Sequence, residues 1–213
     1  MSHITDNNTR TISLIPFLSV HDPNASLCEK HIAERGVNLF CLSLAIPISF
    51  VHIVMATISS VGVILTGSLY KPVNNFTTSH FKQGASCLVP VIYFLLLRTL
   101  NPSAPFPTSC RIGIISHIFC DNLFPIHKEL LDSDSFFQRH FVSRGLALPV
   151  IPITLITSVA DLSIGLTAAT LSIVTVGYFE TINIVAIEGL FASIMITGLF
   201  GATVSVINPW AFD

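Results

Sequence analysis

Asp161 is the only charged residue between Gly145 and Phe179, a long apolar stretch. If that stretch lies in a bilayer, a carboxylate there costs about 2.5–3.5 kcal/mol on insertion scales, so it is a functional candidate by default. His52 holds the corresponding place in an earlier stretch, Val37 to Tyr70, which contains no Asp, Glu, Lys or Arg at all. Asp161 and His52 facing each other would make an intramembrane polar pair, the minimum for a proton relay. The alternative is that both sit wetted at a hairpin tip or membrane edge with structural roles. Asp161 divides its run near the middle, about where a turn would fall.

The elements that must position these groups are too long for a soluble core. A continuous helix over 37–70 would span roughly 50 Å, against a hydrocarbon core of about 30 Å. The chain is 51% hydrophobic and 10% charged with a mean hydropathy of +0.74, whereas soluble domains carry about 25% charged residues. The apolar runs lack the alternation of a transmembrane β-barrel, so the expected fold class is all-α: an integral membrane protein with about four transmembrane helices. Net charge is −2, without a basic run, which gives nucleic acid no electrostatic footprint. The polar N-terminus has one apolar patch, Ile12 to Val20, broken by Pro16; it is too weak for a secretory signal peptide. Triplets beginning at Asn7, Asn24 and Asn75 fit the N-glycosylation pattern, which is common by chance. Cys41 and Cys87 lie in apolar runs and read as small hydrophobes, and the five cysteines suggest no disulfide framework.

Two halves of the chain align. A shift of 109 places His31, Arg35 and Gly36 on His140, Arg144 and Gly145, and pairs Ser49 with Ser158, His52 with Asp161, Thr66 with Thr175 and Asn74 with Asn183. A shift of 107 then pairs Ala85-Ser86 with Ala192-Ser193 and Asn101-Pro102-x-Ala104 with Asn208-Pro209-x-Ala211. These matches suggest two tandem helical-hairpin repeats: a polar arm (1–30), repeat unit 1 (31–106), a polar linker (107–139) and repeat unit 2 (140–213). Each unit has a long apolar run, a short connection, a second run (Gly84–Leu97 or Gly189–Phe212) and an Asn-Pro stop. The first of these second runs is short for a span unless Arg98 snorkels. Each long run fits either one tilted span or a tight hairpin that dips in and returns, with Pro47, Pro149 and Pro152 as possible breaks. With two crossings per unit the repeats would be parallel, the arm and the 98–144 region on one side and the 71–83 and 180–188 loops on the other. Arg98, Arg111, Lys128, Arg139 and Arg144 would then favour a cytoplasmic linker.

Other candidates are weaker. Glu180 and Glu188 read as ordinary interfacial charges. Gly198, Gly201, Ala192 and Ala202 offer a small-residue face suited to packing within the chain. Cys110-x6-His117-x2-Cys120-x6-His127 has zinc-ligand residue types but not their usual close pairing, so no metal is expected; Ile112 to Phe119 reads as a short amphipathic or buried segment beside His117. Phosphate-loop, nucleophile-elbow, dinucleotide and zinc-protease motifs are missing, so nothing points to catalysis or to a cofactor.

His140-x3-Arg144, the run holding Asp161, Thr175-Val-Gly177-Tyr-Phe179-Glu180-x2-Asn183 and Asn208-Pro209-Trp210-Ala211 together resemble poorly characterised membrane proteins of chlamydiae. The likeness covers unit 2 (140–213) well, and unit 1 only as a degenerate copy with His52 in place of Asp161. It implies a relation to inclusion membrane proteins, which have a two-lobed hydrophobic region and leave the bacterium by type III secretion. Two separate bilobed regions depart from the usual single one, and the resemblance implies no catalytic residue. The expected role is therefore that of a non-enzymatic multi-pass protein of an intracellular bacterium. It would sit in the inner membrane or a host-derived inclusion membrane. Its partners would be the lipid bilayer and a protein bound at the 101–139 linker, with the polar arm also exposed. The alternative is a small transporter or pore using Asp161 and His52.

Overall fold

A computed structural model describes residues 11–13, 29–106 and 109–211, so most of the arm, with the Asn7 and Asn24 triplets and Cys28, lies outside the described residues. The described chain is helical apart from one short antiparallel pair, β1 (Thr11–Ser13) with β2 (Ser109–Arg111). The first long run is one helix, α1 (Arg35–Leu65), entered through a wider π-type turn, Glu29–Glu34. The return leg is α2 (Lys71–Ser86), a π-type segment Cys87–Val91 containing Pro90, and α3 (Ile92–Leu100). The linker contains α4 (Ser116–Leu131). The second half repeats the order: a π-type entry Gln138–Val142, α5 (Ser143–Val174), α6 (Glu180–Phe191), a 3-10 turn Ala192–Ile194 and α7 (Met195–Ile207). Four helices, His31–Leu65, Lys71–Leu100, Gln138–Val174 and Glu180–Ile207, are long and apolar enough to cross a membrane.

Three expectations change. Pro47, Pro149 and Pro152 lie inside α1 and α5 without ending them, so each long run is one helix and Asp161 lies well inside it, not at a turn. The polar 71–83 and 180–188 segments are helical, not loops. In α2, Thr77 and Thr78 donate to the carbonyls of Val73 (2.8 Å) and Asn74 (2.9 Å), so polar side chains satisfy themselves on the helix. Arg98 is buried and does not snorkel; it donates to the Pro102 carbonyl, with its guanidinium 5.3 Å from the Phe106 ring.

The two halves carry corresponding contacts at the shifts of 109 and 107. Both long helices end on consecutive left-handed residues, Gly67–Ser68 (φ 55° and 62°) and Val176–Gly177 (φ 52° and 67°). Arg35 Nη2 donates to Leu100 O at 3.2 Å, and Arg144 Nη2 to Ile207 O at 3.3 Å. Asn74 Nδ2 donates to Ser68 O (2.9 Å) and Ala211 O (2.8 Å); Asn183 Nδ2 donates to Gly177 O and Pro105 O, both at 2.9 Å. Asn183 Oδ1 also accepts from Ser172, whereas Val63 stands at the corresponding position in the first half and Asn74 Oδ1 is buried without a partner among the described residues.

These contacts fix how the halves run. Asn101 Nδ2 donates to Val176 O at 2.8 Å, and Asn208 Nδ2 to Ser68 O at 3.1 Å. One end of the bundle therefore holds Arg35, Leu100–Pro105 and the Val176–Gly177 turn. The opposite end holds Ser68, Arg144 and Asn208–Ala211. The halves run in opposite directions, not in parallel as two crossings per unit would suggest. Between them, Tyr93, Phe94, Leu97, Ile187, Leu190 and Phe191 form the main apolar core.

Asn183→Ala is expected to destabilise the fold by about 1–3 kcal/mol, because the buried Gly177 carbonyl, the part-buried Pro105 carbonyl and the Ser172 hydroxyl lose their partner. Thermal unfolding in detergent measures it, and Asn74→Ala, one side-chain hydrogen bond poorer, should cost less.

Candidate functional site

Asp161 is fully buried. Its Oδ1 accepts from the Ile115 amide at 2.8 Å, and its Oδ2 from the Ser116 amide at 2.8 Å and the Ser116 hydroxyl at 2.6 Å. These amides open α4, so a carboxylate on one helix caps another and meets the positive end of its dipole. Gly113 (φ 84°) makes the approach possible, since a Cβ there would lie 2.5 Å from Asp161 Oδ2.

Glu188 performs the same task one helix away. Its backbone carbonyl accepts from the Gly113 amide at 2.9 Å and its Oε1 from the Arg111 amide at 3.2 Å. Both carboxylates reach one level because α5 and α6 approach backbone to backbone at Gly165 and Gly189. A Cβ on Gly189 would lie 2.6 Å from both the Asp161 carbonyl and Gly165 Cα. Glu188 is thus no ordinary interfacial charge; it holds the linker beside Asp161. Between Arg111 and Ser116, the amides of Arg111, Gly113, Ile115 and Ser116 find acceptors on α5 and α6.

His52 does not meet Asp161. Its Nδ1 lies 2.6 Å from Nδ1 of His80, within a hydrogen bond, and the His80 ring centroid lies 4.1 Å from that of Phe76. A contact of that length needs one proton between the two nitrogens, one ring donating and the other accepting. Gly84 lets α2 close on α1 here; a Cβ would lie 2.8 Å from Ile53 Cγ1. His80 is hard to find from sequence because its segment reads as a loop.

The repeat motif sits at the two bundle ends. Arg35 and Arg144 bind helix C-terminal carbonyls, Gly36 and Gly145 have no described residue within 4 Å of a Cβ, and His31 is exposed. His140 takes the Trp210 indole N–H at 2.9 Å and stacks on Phe136, and the Arg139 guanidinium lies 3.9 Å from the Trp210 ring. Of the small-residue face, Gly198 makes room for the Phe124 ring of the linker helix, which a Cβ would meet at 2.9 Å, whereas no described residue lies within 4 Å of a Cβ on Gly201. Compared with known families, curated proteins and solved structures, this chain matches none. Among the described residues, no three His, Cys, Asp or Glu side chains converge as metal ligands would.

Proposed function

We propose that this chain is an integral membrane protein built by tandem duplication of a helical hairpin, the copies inserted in opposite directions, and that it works as a non-enzymatic scaffold. What supports membrane integration is where the apolar surface lies. Only 11% of the most apolar window of the first long helix is buried inside the molecule, and Phe40, Phe50, Ile58 and Ile64 on it are each more than 60% exposed. Water would make that surface an aggregation patch, whereas lipid makes it an ordinary exterior. Exposed aromatics at the bundle ends, Tyr178 and Phe179 at one and Tyr70 and Trp210 at the other, suit the two interfaces.

The observation carrying the scaffold reading is that Asp161 is used up. All three of its hydrogen bonds fix the linker, and the carboxylate has no exposed surface. The linker is thereby held in place with its outer part presented: Lys128, Glu129, Asp132, Asp134, Phe136 and Phe137 are exposed. A protein partner would bind there; of the arm, Thr11–Ser13 pair with Ser109–Arg111 of the linker as β1 with β2. The resemblance to chlamydial membrane proteins would put the chain in an inner or inclusion membrane. The test is site-specific photocrosslinking from position 134 in the native membrane. A discrete protein adduct that Phe136→Ser with Phe137→Ser abolishes supports the scaffold. Lipid adducts alone would sink it.

One observation favours the rival transport reading: the His52–His80 contact, which holds a proton within a candidate span. A pH-driven flux in proteoliposomes that His80→Gln abolishes while the protein stays folded would establish transport instead.

A further inference from the structure

We propose that the linker is itself a fifth membrane-crossing segment, so that the α1–α2 turn and the outer linker lie on one side of the bilayer and the α5–α6 turn on the other. The proposal rests on the membrane reading above. Its observations follow the chain from end to end. Pro105 is held by Asn183 near the Val176–Gly177 turn. Arg111 and Gly113 are held by Glu188, and Ile115 and Ser116 by Asp161. Asp161 lies near the middle of α5, which runs from Ser143 to Val174, so this is close to mid-height of the helix. Phe124 then packs at Gly198 of α7, and Arg139 ends over Trp210 beside His140, at the opposite end of the bundle. The linker has descended the whole height.

A crossing of this kind has a strict requirement. Non-helical backbone survives at membrane depth only where protein or trapped water satisfies its amides. The segment from Arg111 to Ser116 is where that need arises, and Asp161 and Glu188 accept from its Arg111, Gly113, Ile115 and Ser116 amides. Those two carboxylates lie among apolar helices because the strap needs acceptors there. From Ser116 onward α4 satisfies its own backbone. Its exposed residues are first Ile118, Asn122, Pro125 and Ile126, with the Asn122 side-chain amide donating back to the Ile118 carbonyl, and then the charged Lys128 and Glu129, at roughly 18 Å of helix rise from Ser116, near the expected hydrocarbon edge.

The crossing also removes the charge argument for a cytoplasmic linker. Lys30, Arg35 and Arg98 fall at one end; Lys71, Lys128, Arg139 and Arg144 fall toward the other. For the scaffold, the consequence is that a partner of the outer linker must approach from the Trp210 side.

The test uses full-length chain without its native cysteines, in sealed vesicles, with cysteines introduced in pairs at Leu69, Asp134 and Tyr178. The outside is saturated with one impermeant maleimide and, after permeabilisation, the inside with a second colour. Leu69→Cys with Asp134→Cys should carry the same colour on each molecule, and Leu69→Cys with Tyr178→Cys different colours, whichever way a molecule inserted. Matching colours at 69 and 178 would overturn the proposal. Release of the chain by alkaline carbonate would instead refute the membrane reading. If the cysteine-free chain fails to fold, protease accessibility of cleavage sites inserted at the same three positions in the native chain gives the same decision.

Discussion

Asp161→Ala is expected to lower unfolding stability by about 3–5 kcal/mol, because three donors are left without their acceptor and a buried unsatisfied donor costs about 1–3 kcal/mol. Two helix-initiating amides and the Ser116 hydroxyl lose their acceptors together, in a place where water cannot substitute. Asp161→Asn should cost less, since one amide oxygen still accepts while the NH2 group faces donors. The pattern separates two roles. A relay group replaced by Asn leaves the fold intact and stops proton movement; a strap anchor replaced by Asn loosens the linker and lowers the melting temperature. Thermal unfolding in detergent, paired with protease susceptibility at Ser133 to Ser135, reads both. A full-length chain with unchanged melting temperature and linker protection would remove the anchor role.

Gly189→Ala is expected to be similarly damaging, although alanine is the better helix former by about 1 kcal/mol. Its methyl group would sit 2.6 Å from Gly165 Cα and from the Asp161 carbonyl, and backbone cannot yield as a side-chain tip can. The helices must separate, which carries a cost of about 1–3 kcal/mol for overpacking and also draws Glu188 away from the Gly113 and Arg111 amides. Gly165→Ala should behave alike. Gly36→Ala and Gly145→Ala are the controls: no described residue lies within 4 Å of either new methyl, so both should fall within about 0.5 kcal/mol of the parent or above it. Equal stability across all four variants would show that α5 and α6 are not in backbone contact.

Much of this fold can be read without coordinates. Residues 37–70 and 145–179 are too long and too apolar for anything but membrane-scale helices. The anchors aligned at shifts of 109 and 107, Arg35 with Arg144, Asn74 with Asn183 and Asn101 with Asn208, are the residues that make corresponding hydrogen bonds at the bundle ends. What hydrophobicity cannot convey is direction. An apolar run states that a helix wants lipid, not which end of a neighbour it meets, and here Asn101 with Val176 and Asn208 with Ser68 decide it. The strap is hidden for a related reason. Its amides are satisfied by residues 45 to 77 positions away, and no local pattern announces such partners. Gly113, shortly before Ser116, is the available hint of a tight turn into a helix. His80 is obscured because a stretch rich in Asn, Thr, Ser and Lys reads as loop, although its threonines bond back to their own helix.

The central claim, that the middle of these helices sits in hydrocarbon, is most directly tested by depth-dependent fluorescence quenching. Trp210 is the only tryptophan, so Trp210→Phe with Val159→Trp yields a single reporter on the exposed side of α5, close to Asp161 in sequence. In vesicles, lipids brominated near the chain terminus should quench it more than lipids brominated near the headgroup, and aqueous acrylamide should barely reach it. Strong acrylamide quenching with no response to brominated lipid would contradict the account, placing Asp161 and its strap in a protein that does not enter the bilayer.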